Sequence, residues 1–285
     1  MSKIPESELI LNKDGSVYHL SLKPEDISET IIAVGDPSRV YRISSHFDNI
    51  EFEMNKREFH THTGRYKGKR ITVISTGMGT DNIEIFLNEL DALVNVNLEK
   101  REIKSKKKKL NIVRIGTSGS IQEDIPVGSH LVSENAVGLD SLKFYYNFEE
   151  TELEKEIALE IQNKIGLGFT PYIAKCSDKL QKKVGFDMIP GNTITSPGFY
   201  GPQGRKVRLE LRLPKMVEDM NYFHYKDFWL TNFEMEAAAF YALGKLLGHE
   251  ILCVNAIIVN RITKTFSKDY NITIDSLIQK VLDRI

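Results

Sequence analysis

Short apolar runs stopped by glycine alternate with stretches of helical period along most of this chain. Residues 31–35 (IIAVG) predict a buried strand, and the DPSRV that follows puts Pro37 near the first position of a helix. Residues 50–60 alternate imperfectly, and after a Lys67-Gly68 turn residues 71–75 predict another strand. Residues 78–93 carry Ile83, Phe86, Leu87 and Leu90 at helical spacing on one face. Residues 110–120 (LNIVRIGTSGS) predict a strand that ends in a glycine turn, and residues 127–137 a further strand. Residues 150–165 are helical by period, and 168–178 read as a strand. Residues 191–205 (GNTITSPGFYGPQGR) are rich in glycine and proline and read as a loop. A strong helix is expected over about 236–247, a buried strand over 249–263 and a terminal amphipathic helix over 273–285. The strand centres are continuously apolar, which is the pattern of a sheet covered by helices on both faces. No linker divides the chain and no internal repeat appears, so one α/β domain is expected.

Composition changes this picture little. The 38 basic and 39 acidic side chains nearly cancel, leaving a formal charge of -1. That balance speaks against a dedicated nucleic-acid binder but leaves room for a small anion held by two or three arginines. Cys176 and Cys253 lie in apolar stretches and read as reduced thiols of the core. The opening residues lack the apolar segment of a leader, and the longest apolar runs fall far short of a membrane span. A cytoplasmic chain without membrane or nucleic-acid partners is therefore expected. The basic run at residues 101–110 (REIKSKKKKL) reads as a solvated loop or helix end.

In open α/β sheets, ligands gather at the carboxyl ends of strands. Four stretches fall there: GDPSR after the first strand, STGMGTDN, RIGTSGS and the late VNR. Glycine with serine or threonine can present backbone N–H groups, and Arg39 and Arg114 stand beside two of these ends. A guanidinium with a glycine nest suits an oxyanion such as phosphate, although any one loop alone could be a tight turn. Dinucleotide binding is disfavoured, because GMG is followed by TDN and lacks the third glycine. Glu234 and Glu236 (FEME) precede an apolar helix and cannot share a helical face. They read either as a solvated helix start or as carboxylates that accept sugar hydroxyls. His60 and His62 would face one way on a strand, but no third metal ligand is in view, so no metal is expected.

Taken in order, VYHLSL, AVGDPSRV, KREF, STGMG, RIGTSGSIQ, GFYGPQGR, NFEMEAAAF and IIVNR resemble the nucleoside phosphorylase family, and within it the uridine phosphorylase branch. The resemblance runs from about Tyr18 to the last helix. It implies a three-layer α/β/α fold around a mixed, partly barrel-like sheet. It further implies an N-terminal arm over 1–20 that contributes to a subunit interface, ahead of a phosphorylase domain over 21–285. It implies self-association as a dimer or hexamer with active sites shared between subunits, and inorganic phosphate as co-substrate with no cofactor.

By the same resemblance, Gly35, Arg39, Arg114 and Thr117 would hold phosphate, with Arg57 reaching the phosphate of the adjacent subunit. His19 would approach the sugar 5'-hydroxyl across that interface. Thr117, Glu234, Met235 and Glu236 would border the ribose. Phe199, Gln203, Arg205, Ile258 and Val259 would surround a pyrimidine. Arg114, Glu236, Arg205 and Gln203 would carry the chemistry. The implied reaction is phosphorolysis of uridine, with deoxyuridine and thymidine as related substrates, to uracil and a pentose 1-phosphate. Purine members of the family place an aspartate after the late strand, where this chain has Asn260 and no acid. Nucleosidases of the superfamily use water and lack the phosphate arginines, and a non-catalytic nucleoside binder would have no use for the full set. Two departures stand out: FYGPQGR exchanges proline and glycine relative to the usual FYPGQ stretch, and the lysine run lengthens one loop.

Overall fold

A computed structural model describes residues 3–285. Eleven strands form the main sheet: β1 (Thr30–Val34), β2 (Asn49–Lys56), β3 (Phe59–Tyr66), β4 (Lys69–Ser75), β5 (Asn111–Ser120), β6 (His130–Gly138), β7 (Tyr172–Lys175), β8 (Ile189–Thr195), β9 (Asn232–Glu234), β10 (Glu250–Asn260) and β11 (Thr265–Phe266). The five longer helices are α1 (Pro37–Ser44), α2 (Thr80–Asn95), α3 (Glu152–Ile165), α4 (Ala237–Leu247) and α5 (Tyr270–Arg284). The path β10-β6-β8-β9-β5 closes on itself because β5 also pairs with β10, so five strands make a barrel. The flat remainder, β1-β4-β3-β2, extends from β5. The expected three-layer α/β/α architecture with a partly barrel-like mixed sheet is the one found.

Strand β1 runs parallel to β4 and β5, pairing Val34 with Ser75 and with Ile115. The carboxyl ends of these three strands therefore stand side by side. Helix α1 starts at Pro37, with the Asp36 side chain accepting the Ser38 N–H at 2.9 Å. Ile83, Phe86, Leu87 and Leu90 of α2 are fully buried, as their spacing predicts. They bring α2 onto α4, where Phe86 and Phe240 meet edge to face at 5.9 Å. Arg42 ties α1 to α5 through Asn271 and Asp275.

Two expectations about loops need correction. Residues 110–120 do not end in a glycine turn; β5 continues through Gly116 and Gly119 to Ser120. Gly116 is required there for space, since a Cβ would lie 2.1 Å from Arg114 Nη1 and 2.6 Å from Asn255 Oδ1. Likewise residues 191–195 are not loop but the second half of β8. Parallel pairing of Thr193 and Ile194 with Asn232 and Phe233, and with Ala136 and Val137 on the other side, overrides the flanking glycine and proline.

The N-terminal residues are irregular but anchored, with Val17, Leu20 and Leu22 fully buried. Cys176 and Cys253 are free and buried, and burial pushes the Cys176 thiol up to about 12. Lys106, Lys107 and Lys109 are exposed in a loop ahead of β5. Among the described residues, no helix is long and apolar enough to cross a membrane.

Candidate active site

A cavity of about 750 Å³ opens at the aligned carboxyl ends. Gly35, Arg39, Gly77, Arg114, Thr117, Glu234, Met235 and Glu236 line one end; Phe199, Gln203, Arg205, Ile258, Val259, Arg261 and Phe266 line the other. All four sequence stretches singled out at strand ends contribute to it.

The first end is organised around Arg114, which points off β5 and is 5% exposed. Its guanidinium pairs with Glu236 through Nη2, stands 3.4 Å from Glu234 through Nη1, and donates to Asn255 at 3.4 Å. Burial alone would lower the Arg114 pKa, but the carboxylates of Glu236 and Glu234 raise it, so the cation is permanent. Its Nε is buried and finds no hydrogen-bond partner among the described residues. Arg39 donates to the Ile115 carbonyl at 3.1 Å; burial and the nearby Arg114 charge depress its pKa. Two guanidiniums thus share one desolvated wall with the Glu234 and Glu236 carboxylates; Arg114 pairs with both, while Arg39 bonds the backbone.

Glu234 ends β9 and Glu236 takes the cap position of α4. A solvated helix start is ruled out, because each residue is 3% exposed. Glu234 accepts the Thr195 hydroxyl at 2.5 Å and the N–H groups of Glu236 and Ala237 at 2.8 to 3.0 Å. Burial pushes its carboxyl up, while Arg114 pulls it down and Glu236 pushes it up again. Glu236 also accepts the Gly79 N–H at 2.8 Å. Gly79 caps the start of α2 with φ at 98°, so this carboxylate sits at the positive end of a helix. The pair therefore differs in partners: Glu234 takes Thr195 and two backbone N–H groups with Arg114 at 3.4 Å, whereas Glu236 takes Arg114 directly and one backbone N–H.

The second end rests on residues 197–213, whose one helical element is the 3-10 turn Gly201–Gln203. Gln203 is buried and accepts Arg205 Nη1 on its Oε1 at 2.6 Å, which turns its amide N–H donors the other way. Arg205 also donates to the Phe199 carbonyl at 2.8 Å and stacks on the Phe199 ring at 3.8 Å. Burial first, and then the charge of Arg261, lower the Arg205 pKa to about 10.

Arg261 was not among the residues expected here. It lines the cavity and donates to the Gln203 carbonyl at 3.0 Å. Its neighbour Asn260, the residue expected to stand where purine members carry an acid, turns away. The Asn260 amide donates to the carbonyls of Gln122 and Ile125 at 2.8 and 3.0 Å, and its oxygen accepts from Ile262 and Thr263. The late-strand residue that faces the cavity is thus a cation. Arg261 lies one residue beyond β10 and, with Val259, stands against Gly119; its place in the VNR stretch at the strand end is the signal that could have found it.

His19 and Arg57 do not line this cavity. They gather elsewhere on the same surface: Arg57, at the tip of the β2–β3 hairpin with φ at 53°, lies 5.9 Å from the Tyr18 ring, which meets the His19 ring at 4.9 Å. His60 and His62 do share a face of β3, flanking Tyr41, with the His62 Nδ1 bonded to Ser44 at 2.8 Å. Among the described residues, no group of three or more His, Cys, Asp or Glu could hold a metal ion.

Residues 29–280 match the family model of the phosphorylase superfamily. A uridine phosphorylase of Thermococcus kodakarensis is 31% identical over 276 residues, covering 94% of this chain and 86% of the relative. A DeoD-type purine nucleoside phosphorylase of Clostridium novyi is 26% identical over 275 residues, covering 93% and 97%. Among solved structures, a Trypanosoma brucei nucleoside phosphorylase described as having uridine phosphorylase activity superposes with a TM-score of 0.88 at 30% identity, covering 97% of this chain and all of that one.

Proposed function

The chain belongs to the phosphorylase superfamily and is a nucleoside phosphorylase, a pentosyltransferase, and we propose that its nucleoside is uridine, split reversibly by phosphate into uracil and ribose 1-phosphate. The observation that carries this reading is the base end of the cavity. Gln203, Arg205 and Arg261 converge there as donors, and Asn260 points its side chain into the protein. A departing pyrimidine takes up negative charge on its oxygens, and donors fixed in advance at that position stabilise it. A departing purine is instead helped by a proton donor on its ring nitrogen, and two arginines cannot serve as that acid.

In the mechanism we favour, Arg39, Arg114, Thr117 and the backbone at Gly35 hold phosphate below the sugar. Its oxygen attacks C1' as the bond to the base breaks, and the sugar carries oxocarbenium character between them. Positioning alone can supply several orders of magnitude of rate. Glu236 and Met235 hold the ribose, and the Glu236 carboxylate favours positive charge on the ring. Glu234 acts behind them, fixing the strand end through Thr195 and Ala237. Phe199, Ile258 and Val259 enclose the base.

Arg39 and Arg114 are balanced by Glu234 and Glu236, so this wall by itself offers phosphate no excess positive charge. We read Arg57 and His19 as groups that a second copy lends to this pocket, which supplies the missing cation and a partner for the 5'-hydroxyl. A purine preference is the second reading, favoured by the likeness to DeoD-type enzymes.

The deciding experiment incubates the chain with uridine, thymidine and inosine, each with and without phosphate. Uracil and ribose 1-phosphate formed only with phosphate are expected. Inosine cleavage without uracil release would replace the reading with the purine one, and phosphate-independent release would remove the role given to the arginines.

A further inference from the structure

Glu89 lies on α2, one residue before the buried Leu90, and is 8% exposed. Its carboxylate receives donors from two consecutive residues of the N-terminal arm. The backbone N–H of His19 stands 3.0 Å from both oxygens, and that of Leu20 is at 2.9 Å. The His19 ring brings Nδ1 to 2.6 Å from Oε1. The arm cannot slide along this contact, because Val17, Leu20 and Leu22 are fully buried on either side.

An ionised carboxylate is acceptor-only, so a ring nitrogen at 2.6 Å must carry the hydrogen between them. The neutral His19 ring is thereby held with its proton on Nδ1, and Nε2 keeps its lone pair. The ring is partly exposed, with its side chain 29% accessible, and Nε2 is the atom left to face outward. A carboxylate that fixes the tautomer and direction of a histidine makes its far nitrogen a better hydrogen-bond acceptor. Tyr18 and Arg57 border the same patch, so the acceptor is presented beside a cation.

We infer that Glu89 is a positioning residue: it sets the Nδ1–H tautomer and the aim of His19, so that Nε2 accepts the 5'-hydroxyl hydrogen of a nucleoside bound by a second copy. This rests on the reading above that His19 serves the neighbouring pocket. Glu89 touches no substrate itself; it makes the acceptor specific for a sugar that carries a free 5'-hydroxyl.

The test compares uridine with 5'-deoxyuridine, and inosine with 5'-deoxyinosine, in the full-length protein. Glu89→Gln keeps an acceptor for the two backbone N–H groups but can offer an N–H to Nδ1, which moves the ring proton to Nε2. Glu89→Gln is expected to lower kcat/KM for the 5'-hydroxyl substrates about tenfold more than for the 5'-deoxy ones. His19→Ala should show the same selective loss, and the double variant should be no worse than His19→Ala alone. Equal loss on both kinds of substrate in Glu89→Gln, or no loss, would overturn the inference while leaving His19 in place. A His19→Ala variant that keeps full preference for the 5'-hydroxyl would overturn the reading of His19 and the inference with it. Independently of any variant, the 15N shifts of the neutral His19 ring should report the Nδ1–H tautomer; the Nε2–H tautomer would contradict the proposal.

Discussion

The two ends of the cavity are built on different kinds of structure. The anion and sugar end stands on strand termini and helix starts. Arg114, Glu234 and Glu236 are buried there, and each is held by the others or by backbone. The other end stands partly on residues 197–213, where Phe199 is 50% exposed and Arg205 rests on its ring, and partly on the end of β10 with Arg261. A buried charge cluster resists piecemeal change, because removal of one member leaves the rest uncompensated. A surface loop can be rewritten one residue at a time without touching the core. On the function proposed above, the comparison teaches that reaction type rests mainly on the buried cluster and substrate choice on the more exposed end.

The sharpest way to break this division is Arg114→Ala. Two buried carboxylates would lose their cation, costing about 3–5 kcal/mol of stability, and turnover should fall by at least ~1,000-fold. Urea unfolding and phosphorolysis rates measure the two losses, and a stable, active variant would refute the buried cluster's role. Gly116→Ala comes next. Its Cβ would occupy the path of the Arg114 side chain, so about 1–3 kcal/mol of stability should be lost and the KM for phosphate should rise. An unchanged phosphate KM would show that Arg114 does not touch the anion.

Arg205→Ala probes the other end. It should reduce kcat/KM for uridine by at least about tenfold, close to 1.4 kcal/mol, with the phosphate KM and the melting temperature left in place. An effect on phosphate instead would erase the separation. The smallest effect is a pH slope. The Glu234 carboxyl is raised in the folded chain, so the folded state binds more protons than the unfolded one above the ordinary value of 4.5. Stability from this group is full below 4.5 and declines as pH rises through the raised folded value. Glu234→Gln should flatten that decline, and an identical slope in both proteins would contradict it.

Much of the first end was legible in the sequence because strand-end chemistry leaves a local trace. Apolar runs stopped by glycine, with Arg39 and Arg114 alongside, predicted where the cavity lies. The carboxylates were visible, but not their burial, since FEME looks the same on a solvated turn as at the mouth of a barrel. Strand β8 was hidden because Gly191 and Pro197 flank a short run whose pairing partners are distant in sequence. Arg261 was hidden for a different reason: it sits just past the end of β10, beyond a register shift at Ile257–Val259, so strand period does not tell its facing from that of Asn260. Glu89 left no trace at all, because a carboxylate on a helix declares its partner only when the arm folds back 70 residues along the chain.

The measurement that bears most directly on this account is a competition between uridine and inosine at saturating phosphate, with both free bases quantified from one mixture. A donor-lined base end with Arg261 facing inward predicts uracil in excess by more than about tenfold. Hypoxanthine in equal or greater amount would show that these arginines do not select the pyrimidine.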